Sequence, residues 1–186
     1  MSTLRVAGIA GSLRRGSLNR ALLAAAAELA PADVEIVPVE IGALPLYDED
    51  LDTDAPPGAV ARLRAALAAA DALLVATPEF NHNIPGVLQN ALDWASRPAF
   101  ASALRGLPAG MMGAASGSIG TARAQEALKL VLLAVQAPVF PHRGVLVGGA
   151  RAKFADGRLV HAPTREFVAG YLSEFAAWAR AQPRTP

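Results

Sequence analysis

The chain has 186 residues, 53% of them hydrophobic, with 17 basic and 16 acidic side chains for a formal net charge of +1. That length fits one domain over residues 1–186 with a sizeable core, and the charge balance gives no reason to expect nucleic acid or an anionic membrane as a partner. There is no cysteine, which excludes disulfides, thiol redox chemistry and cysteine-ligated metals, so any redox work must reside on a bound cofactor.

Leu4 to Ile9 is a short apolar run ending in Ala10-Gly11-Ser12, and reads as a buried strand followed by a turn. Leu18 to Ala30 reads as a helix stopped by Pro31, and the β-branched stretch Val34 to Val39 as a second strand. Gly42 to Pro57 is a loop with prolines and acids. Gly58 to Ala70 is a helix, and Ala72 to Thr77 a third strand. Pro78 to Pro85 is a second loop, followed by a helix over Gly86 to Ser96. Ala109 to Ala115 is a fourth strand, Ser116 to Gly120 a third loop, and Thr121 to Val135 a helix. Val139 and Phe140, then Val145 to Val147, supply a fifth strand or a broken pair. Thr164 to Ala181 is a terminal helix with Phe167, Val168, Tyr171, Leu172, Phe175 and Trp178 at helical spacing. Gln182 to Pro186 is a short tail.

Strand and helix alternate about five times, and the strands are continuous apolar runs, as in parallel sheets covered on both faces. A doubly wound α/β fold follows, a three-layer arrangement on a five-stranded parallel sheet. The flavodoxin-like strand order is one common version of it. Ligands then sit at the carboxyl ends of the strands, where all three Gly/Ser/Asn-bearing loops lie. No segment offers about 18 uninterrupted apolar residues, and the N-terminus has no long signal-like apolar region, so a soluble, cytoplasmic protein is expected.

The first loop runs Gly11-Ser12-Leu13-Arg14-Arg15-Gly16-Ser17-Leu18-Asn19, between a strand and a helix. Free backbone N–H groups and the positive helix end suit an anion there. Ser12, Ser17 and Asn19 add side-chain donors, and Arg14 and Arg15 add charge. Charge-assisted hydrogen bonds contribute roughly 1.5–3 kcal/mol each, so a few hold a phosphate. An ordinary loop with Ser17 as helix cap is the alternative. The loop lacks the Gly-Lys-Ser/Thr of a Walker A motif and the G-x-G-x-x-G of a dinucleotide fold, so a mononucleotide is favoured.

The second loop, Pro78-Glu79-Phe80-Asn81-His82-Asn83-Ile84-Pro85-Gly86, is stiffened by two prolines. Its amides can hydrogen-bond the polar edge of a planar heterocycle, and Phe80 either shields a ring or packs inward. His82 has no metal-ligand partner at useful spacing, and no metal is expected there or in the acidic run Asp48 to Asp54. Trp94 is a core residue or an interface anchor. Arg123 faces a cofactor, a phosphate or a partner chain, or forms a surface ion pair.

GSLRRGSLNRAL at 11–22, PEFNHNIPGVLQNALDW at 78–94 and GAASGSIGTARAQEALK at 113–129 resemble the NADPH-dependent FMN reductase family, including its chromate- and quinone-reducing members. Leu44-Pro45-Leu46-Tyr47 is similar to that family's loop after its second strand. The resemblance implies a flavodoxin-like fold with one noncovalent FMN, NADPH or NADH as donor, and a small-molecule acceptor such as a quinone, azo dye, chromate or flavin. It also implies a homodimer or homotetramer. By the same resemblance, Ser12, Arg14, Ser17 and Asn19 hold the phosphate, and Gly11, Leu13 and Leu18 of the same loop also belong to the cofactor-binding set. Pro78, Glu79, Phe80 and Asn81 line the ring, and Ser116 and Gly117 close its other side. No side chain is expected to act as a catalytic acid, base or nucleophile, since hydride transfer is the cofactor's chemistry. Phe80 stands where the family often has tyrosine, Asn83 where serine is common and Thr121 where a second glycine is common. An FMN-binding electron carrier or redox sensor without turnover is the alternative, against which the nearly neutral charge weighs. A nucleotide hydrolase would need a nucleophile–base pair that the loops do not offer.

Overall fold

The computed structural model describes residues 2–182, so 183–186 of the expected tail lie outside the described residues. Five strands, β1 (Leu4–Ala10), β2 (Val34–Val39), β3 (Ala72–Ala76), β4 (Ala109–Ala114) and β5 (Val145–Val147), form one sheet in the order β2-β1-β3-β4-β5. Every adjacent pair is parallel. This is the flavodoxin-like order, with the topological switch between β1 and β3.

Four helices link the strands, α1 (Leu18–Leu29), α2 (Gly58–Ala68), α3 (Gly86–Ala95) and α4 (Ala122–Ala134), and a fifth, α5 (Ala162–Arg180), follows the last strand. Successive strand side chains point to opposite faces, so each strand serves two cores. Val6, Leu74 and Ala76 pack with α1 and α5, whereas Ala7, Ile9, Leu73 and Val75 pack with α2, α3 and α4. All five residues of β3 are buried, which is why that strand reads as an unbroken apolar run.

The broken fifth strand has a physical cause. The edge of β4 pairs below with Val139 and above with β5, while the chain between leaves the sheet. Met111 N–H, exposed by that gap, donates instead to the Tyr171 hydroxyl at 2.8 Å. Gly110 makes room, because a Cβ there would lie 2.7 Å from the same hydroxyl and 3.0 Å from Phe175. An aromatic side chain from α5 thus replaces one rung of the ladder.

Boundaries shift by one or two residues from the sequence expectation. The last helix starts at Ala162, with Pro163 in its first turn, where a missing N–H costs nothing. A hairpin of β6 (Phe154–Ala155) and β7 (Arg158–Leu159) is absent from the sequence reading. Its signal is Asp156-Gly157, both at positive φ as a tight hairpin turn demands.

Among the described residues, no helix is long and apolar enough to cross a membrane.

Candidate functional site

The register aligns Ala10 with Ala76 and Ala76 with Met112. The loops after β1, β3 and β4 therefore leave the same edge of the sheet side by side.

In the first loop, Gly11 N–H donates to Ala76 O at 2.9 Å, extending the ladder by one rung. A Cβ on Gly11 would meet Leu88 at 3.1 Å and Pro78 at 3.4 Å, so this glycine lets the first two loops lie close. Among the described residues, the N–H groups of Ser12, Leu13, Arg14, Arg15 and Gly16 have no protein acceptor. The Arg14 guanidinium donates to Gly16 O at 3.0 Å, and Ser17 N–H to Arg14 O at 3.1 Å, which curls the loop over the start of α1. Leu13 lies against the backbone of Gly42, and Leu18 packs against the α1–α5 core.

Two expected phosphate residues have structural work as well. Ser17 Oγ caps α1, accepting from Asn19 N–H at 3.2 Å and Arg20 N–H at 3.3 Å. Its hydroxyl proton is left to donate. The buried Asn19 carboxamide is engaged through both atoms with β4: Nδ2 donates to Ala114 O at 3.0 Å, and Oδ1 accepts from Ala114 N–H at 2.8 Å. Asn19 in this way fastens the first turn of α1 beside the root of the third loop.

The second loop is a closed two-residue hairpin. Phe80 and Asn83 exchange backbone hydrogen bonds of 3.0 Å in both directions, with Asn81 (φ 52°) and His82 (φ 63°) left-handed between them. Asparagine and histidine are among the non-glycine residues found most often in that conformation, though it remains costlier than for glycine. Asn83 Oδ1 accepts from Ile84 N–H at 2.7 Å. The N–H groups of Glu79, Asn81 and His82 have no protein acceptor among the described residues. Phe80 is 59% exposed, so it projects from the loop and does not pack inward. Pro78 O is held by the Thr77 hydroxyl at 2.8 Å.

The Glu79 side chain turns to α4. Its carboxylate accepts from the N–H groups of Arg123 at 3.0 Å and Ala124 at 3.2 Å, and pairs with the Arg123 guanidinium at 3.4 Å. Its backbone, not its carboxylate, is what the loop presents at the sheet edge.

The third loop continues the β4–β5 ladder through Ala115 N–H to Val147 O at 3.0 Å. From Ser116 to Thr121 no backbone N–H has a protein acceptor among the described residues. Gly117 O accepts from Gly149 N–H at 3.0 Å, and Ser116 Oγ accepts from Arg151 Nε at 3.2 Å. Arg151 and the glycine pair before it are absent from the sequence reading. The signal that points to them is Gly148-Gly149 just past a strand end.

Trp94 is fully buried, and its indole N–H donates to Pro45 O at 2.9 Å. Asn90 receives Tyr47 N–H at 2.8 Å and donates to Pro45 O at 2.9 Å. Both residues clamp the Leu44–Tyr47 stretch onto α3, so Trp94 is core. Arg123 forms an ion pair with Glu79 while its side chain stays half exposed.

The donor set fits a phosphorylated planar heterocycle. The first loop joins unpaired amides, two serine hydroxyls and two arginines at a helix N-terminus, with no carboxylate in the loop. The second and third loops add further unpaired amides on either side of β3 and β4. Among the described residues, no group of three or more His, Cys, Asp or Glu side chains is placed to hold a metal ion.

Comparison with known proteins agrees with this geometry. The family model described as NADPH-dependent FMN reductase matches residues 4–152, which include all three loops. The chain is similar to 2-hydroxy-1,4-benzoquinone reductase of a Burkholderia species, at 41% identity over 95% of this chain and 97% of the relative. It is similar to an NAD(P)H-dependent FMN reductase of Pseudomonas aeruginosa, at 42% identity over 95% and 96%. Among solved structures it is similar to FerB, a flavoenzyme NAD(P)H:(acceptor) oxidoreductase from Paracoccus denitrificans. That match has a TM-score of 0.88 and 37% identity over 97% of this chain and 99% of that one. Strand order, loop placement and these likenesses agree, and the chain belongs to the NADPH-dependent FMN reductase family.

Proposed function

We propose that this chain is an FMN-dependent NAD(P)H oxidoreductase whose two half-reactions share one open site, with quinones, azo compounds, chromate or free flavin as acceptors. The observation that carries the reading is the run of unpaired amides on three adjacent loops at the carboxyl edge of β1, β3 and β4. When bound at these loops, FMN would supply the hydride-transfer chemistry.

The chain's own residues bind and orient. Gly11 through Leu18 form the phosphate cradle: backbone amides and the Ser12 and Ser17 hydroxyls donate, and Arg14 adds charge. Asn19 keeps that cradle fixed to β4. Pro78 through Asn81 present backbone donors to the polar edge of the ring, and Ser116 and Gly117 close the other side. Phe80 on the second loop and Ile119 on the third, 59% and 49% exposed, offer apolar surface to a planar ligand. Donors fixed before the reaction stabilise negative charge that develops on the ring without reorganising.

The reading extends to a cytoplasmic protein acting as a single 1–186 unit, and to self-association as a homodimer or homotetramer. Leu130 and Leu133 on α4, 70% and 61% exposed, offer an apolar stripe for that association. Light scattering of the purified protein at micromolar concentration tests it, and a monomer throughout would contradict it.

Initial rates with NADPH and benzoquinone, each varied at fixed levels of the other, test the catalytic reading. Parallel double-reciprocal lines are expected for one site used twice in succession. Intersecting lines would show both substrates bound together and overturn it.

A further inference from the structure

We infer that Arg151 is a further phosphate-binding residue, held over the third loop to engage a phosphoryl group of the bound nucleotide. The inference rests on the flavin-binding reading above.

The backbone after β5 is built to reach the third loop. A Cβ on Gly148 would run into Ser118 O and Gly117 O, so only glycine permits that approach. Gly149 is left-handed at φ 56°, and its N–H donates to Gly117 O at 3.0 Å. Ala150 N–H donates to Ala115 O at 3.0 Å. These contacts leave Arg151 above Ser116, to whose hydroxyl its Nε donates at 3.2 Å.

That hydrogen bond uses the inner nitrogen and leaves both terminal nitrogens free. Among the described residues, no carboxylate pairs with Arg151. The guanidinium is a planar fork that matches two oxygens of a phosphate. Its partner Ser116 lies close in sequence to a residue tied to the first helix. Ala114, two residues before Ser116, is bonded to Asn19 on the first turn of α1. The first turn of α1 therefore lies beside the root of the third loop, two residues from the serine that holds Arg151.

Two sources of phosphate chemistry meet at this edge: the FMN monoester and the phosphates of the nicotinamide nucleotide. Arg151→Gln and, as a control for net charge, Lys153→Gln would be titrated as full-length apoprotein with FMN and with riboflavin. Their KM values for NADPH and NADH would be measured after saturation with FMN. A rise of about tenfold in the FMN dissociation constant, the factor that one charge-assisted hydrogen bond confers, with riboflavin unchanged, assigns Arg151 to the flavin phosphate. A similar rise in KM for NADPH alone assigns it to the 2′-phosphate, and for both nucleotides to the diphosphate. Arg151→Lys should recover part of either loss. Any of these patterns supports the proposal when Lys153→Gln behaves as the parent protein. Equal constants for Arg151→Gln and the parent across all four ligands would overturn it while leaving flavin binding intact. A parent protein that binds no FMN would overturn the flavin reading together with this inference.

Discussion

The Glu79 carboxylate and the Arg123 backbone lie 3.0 Å apart across 44 residues of sequence, with the carboxylate accepting the N–H at the start of α4. One acidic side chain thereby ties the hairpin after β3 to the helix after β4. It satisfies two of the orphan donors that every helix start leaves, and it sits at the positive end of the helix dipole. The accompanying ion pair adds little, because the Arg123 side chain is half exposed.

Glu79→Ala is expected to lower stability by about 1–2 kcal/mol, the value of a partly buried cap. It also frees the second and third loops to move apart, so FMN should bind more weakly. Urea unfolding with and without FMN checks both. An unchanged midpoint would show that α4 starts without its distant cap.

Asn19→Ala and Ser12→Ala separate the two kinds of work in the first loop. The first orphans a buried N–H and carbonyl on Ala114 and should cost about 2–4 kcal/mol. The second should leave thermal stability of the apoprotein unchanged and weaken FMN binding alone. Apoprotein melting curves alongside flavin titrations distinguish them. A stable Asn19→Ala protein would show that β4 does not need this anchor.

Tyr171→Phe should cost about 1–3 kcal/mol by leaving Met111 N–H unpaired in the gap of the fifth strand. Burial raises the Tyr171 pKa well above the ordinary phenol value of 10.0, opposed weakly by the Met111 hydrogen bond. The folded state therefore favours the neutral phenol. The stability tied to it is fully present below the unfolded value and falls as pH climbs past it. Unfolding free energies from about pH 8 to pH 11 should fall more steeply for the parent than for Tyr171→Phe. Parallel profiles would show that the phenol does not govern the alkaline limb.

His82→Gly should stabilise the protein. A left-handed non-glycine residue costs about 1–2 kcal/mol, against about 0.5–1 kcal/mol for the greater freedom glycine loses on folding. The Asn-Gly pair created is the preferred one for a two-residue hairpin. A lower melting midpoint would reveal a contact of the imidazole that offsets its strain.

The architecture is legible in the sequence wherever burial alone decides it. β3 is apolar throughout because both faces are covered, and the three loops gathered at the carboxyl edge of the sheet carry glycine, serine or asparagine after each strand. What escapes is non-local. Asn19 reads as a phosphate donor because nothing nearby shows that its carboxamide pairs with Ala114, 95 residues away. Glu79 reads as a ring residue for the same reason. Arg151 escapes because its importance comes from Gly148, whose missing Cβ matters only once the third loop lies against it. The break in the fifth strand is visible as an interrupted apolar run, but its filler, Tyr171, reads only as one member of a helical stripe.

The central claim, that these three loops hold FMN for reduction by a nicotinamide nucleotide, is tested most directly by the visible spectrum of the FMN-loaded protein under anaerobic conditions. Addition of NADPH or NADH should bleach the bound flavin bands, and a quinone added afterwards should restore them. Failure of the protein to take up FMN, or a bound flavin that neither nucleotide bleaches, would contradict it.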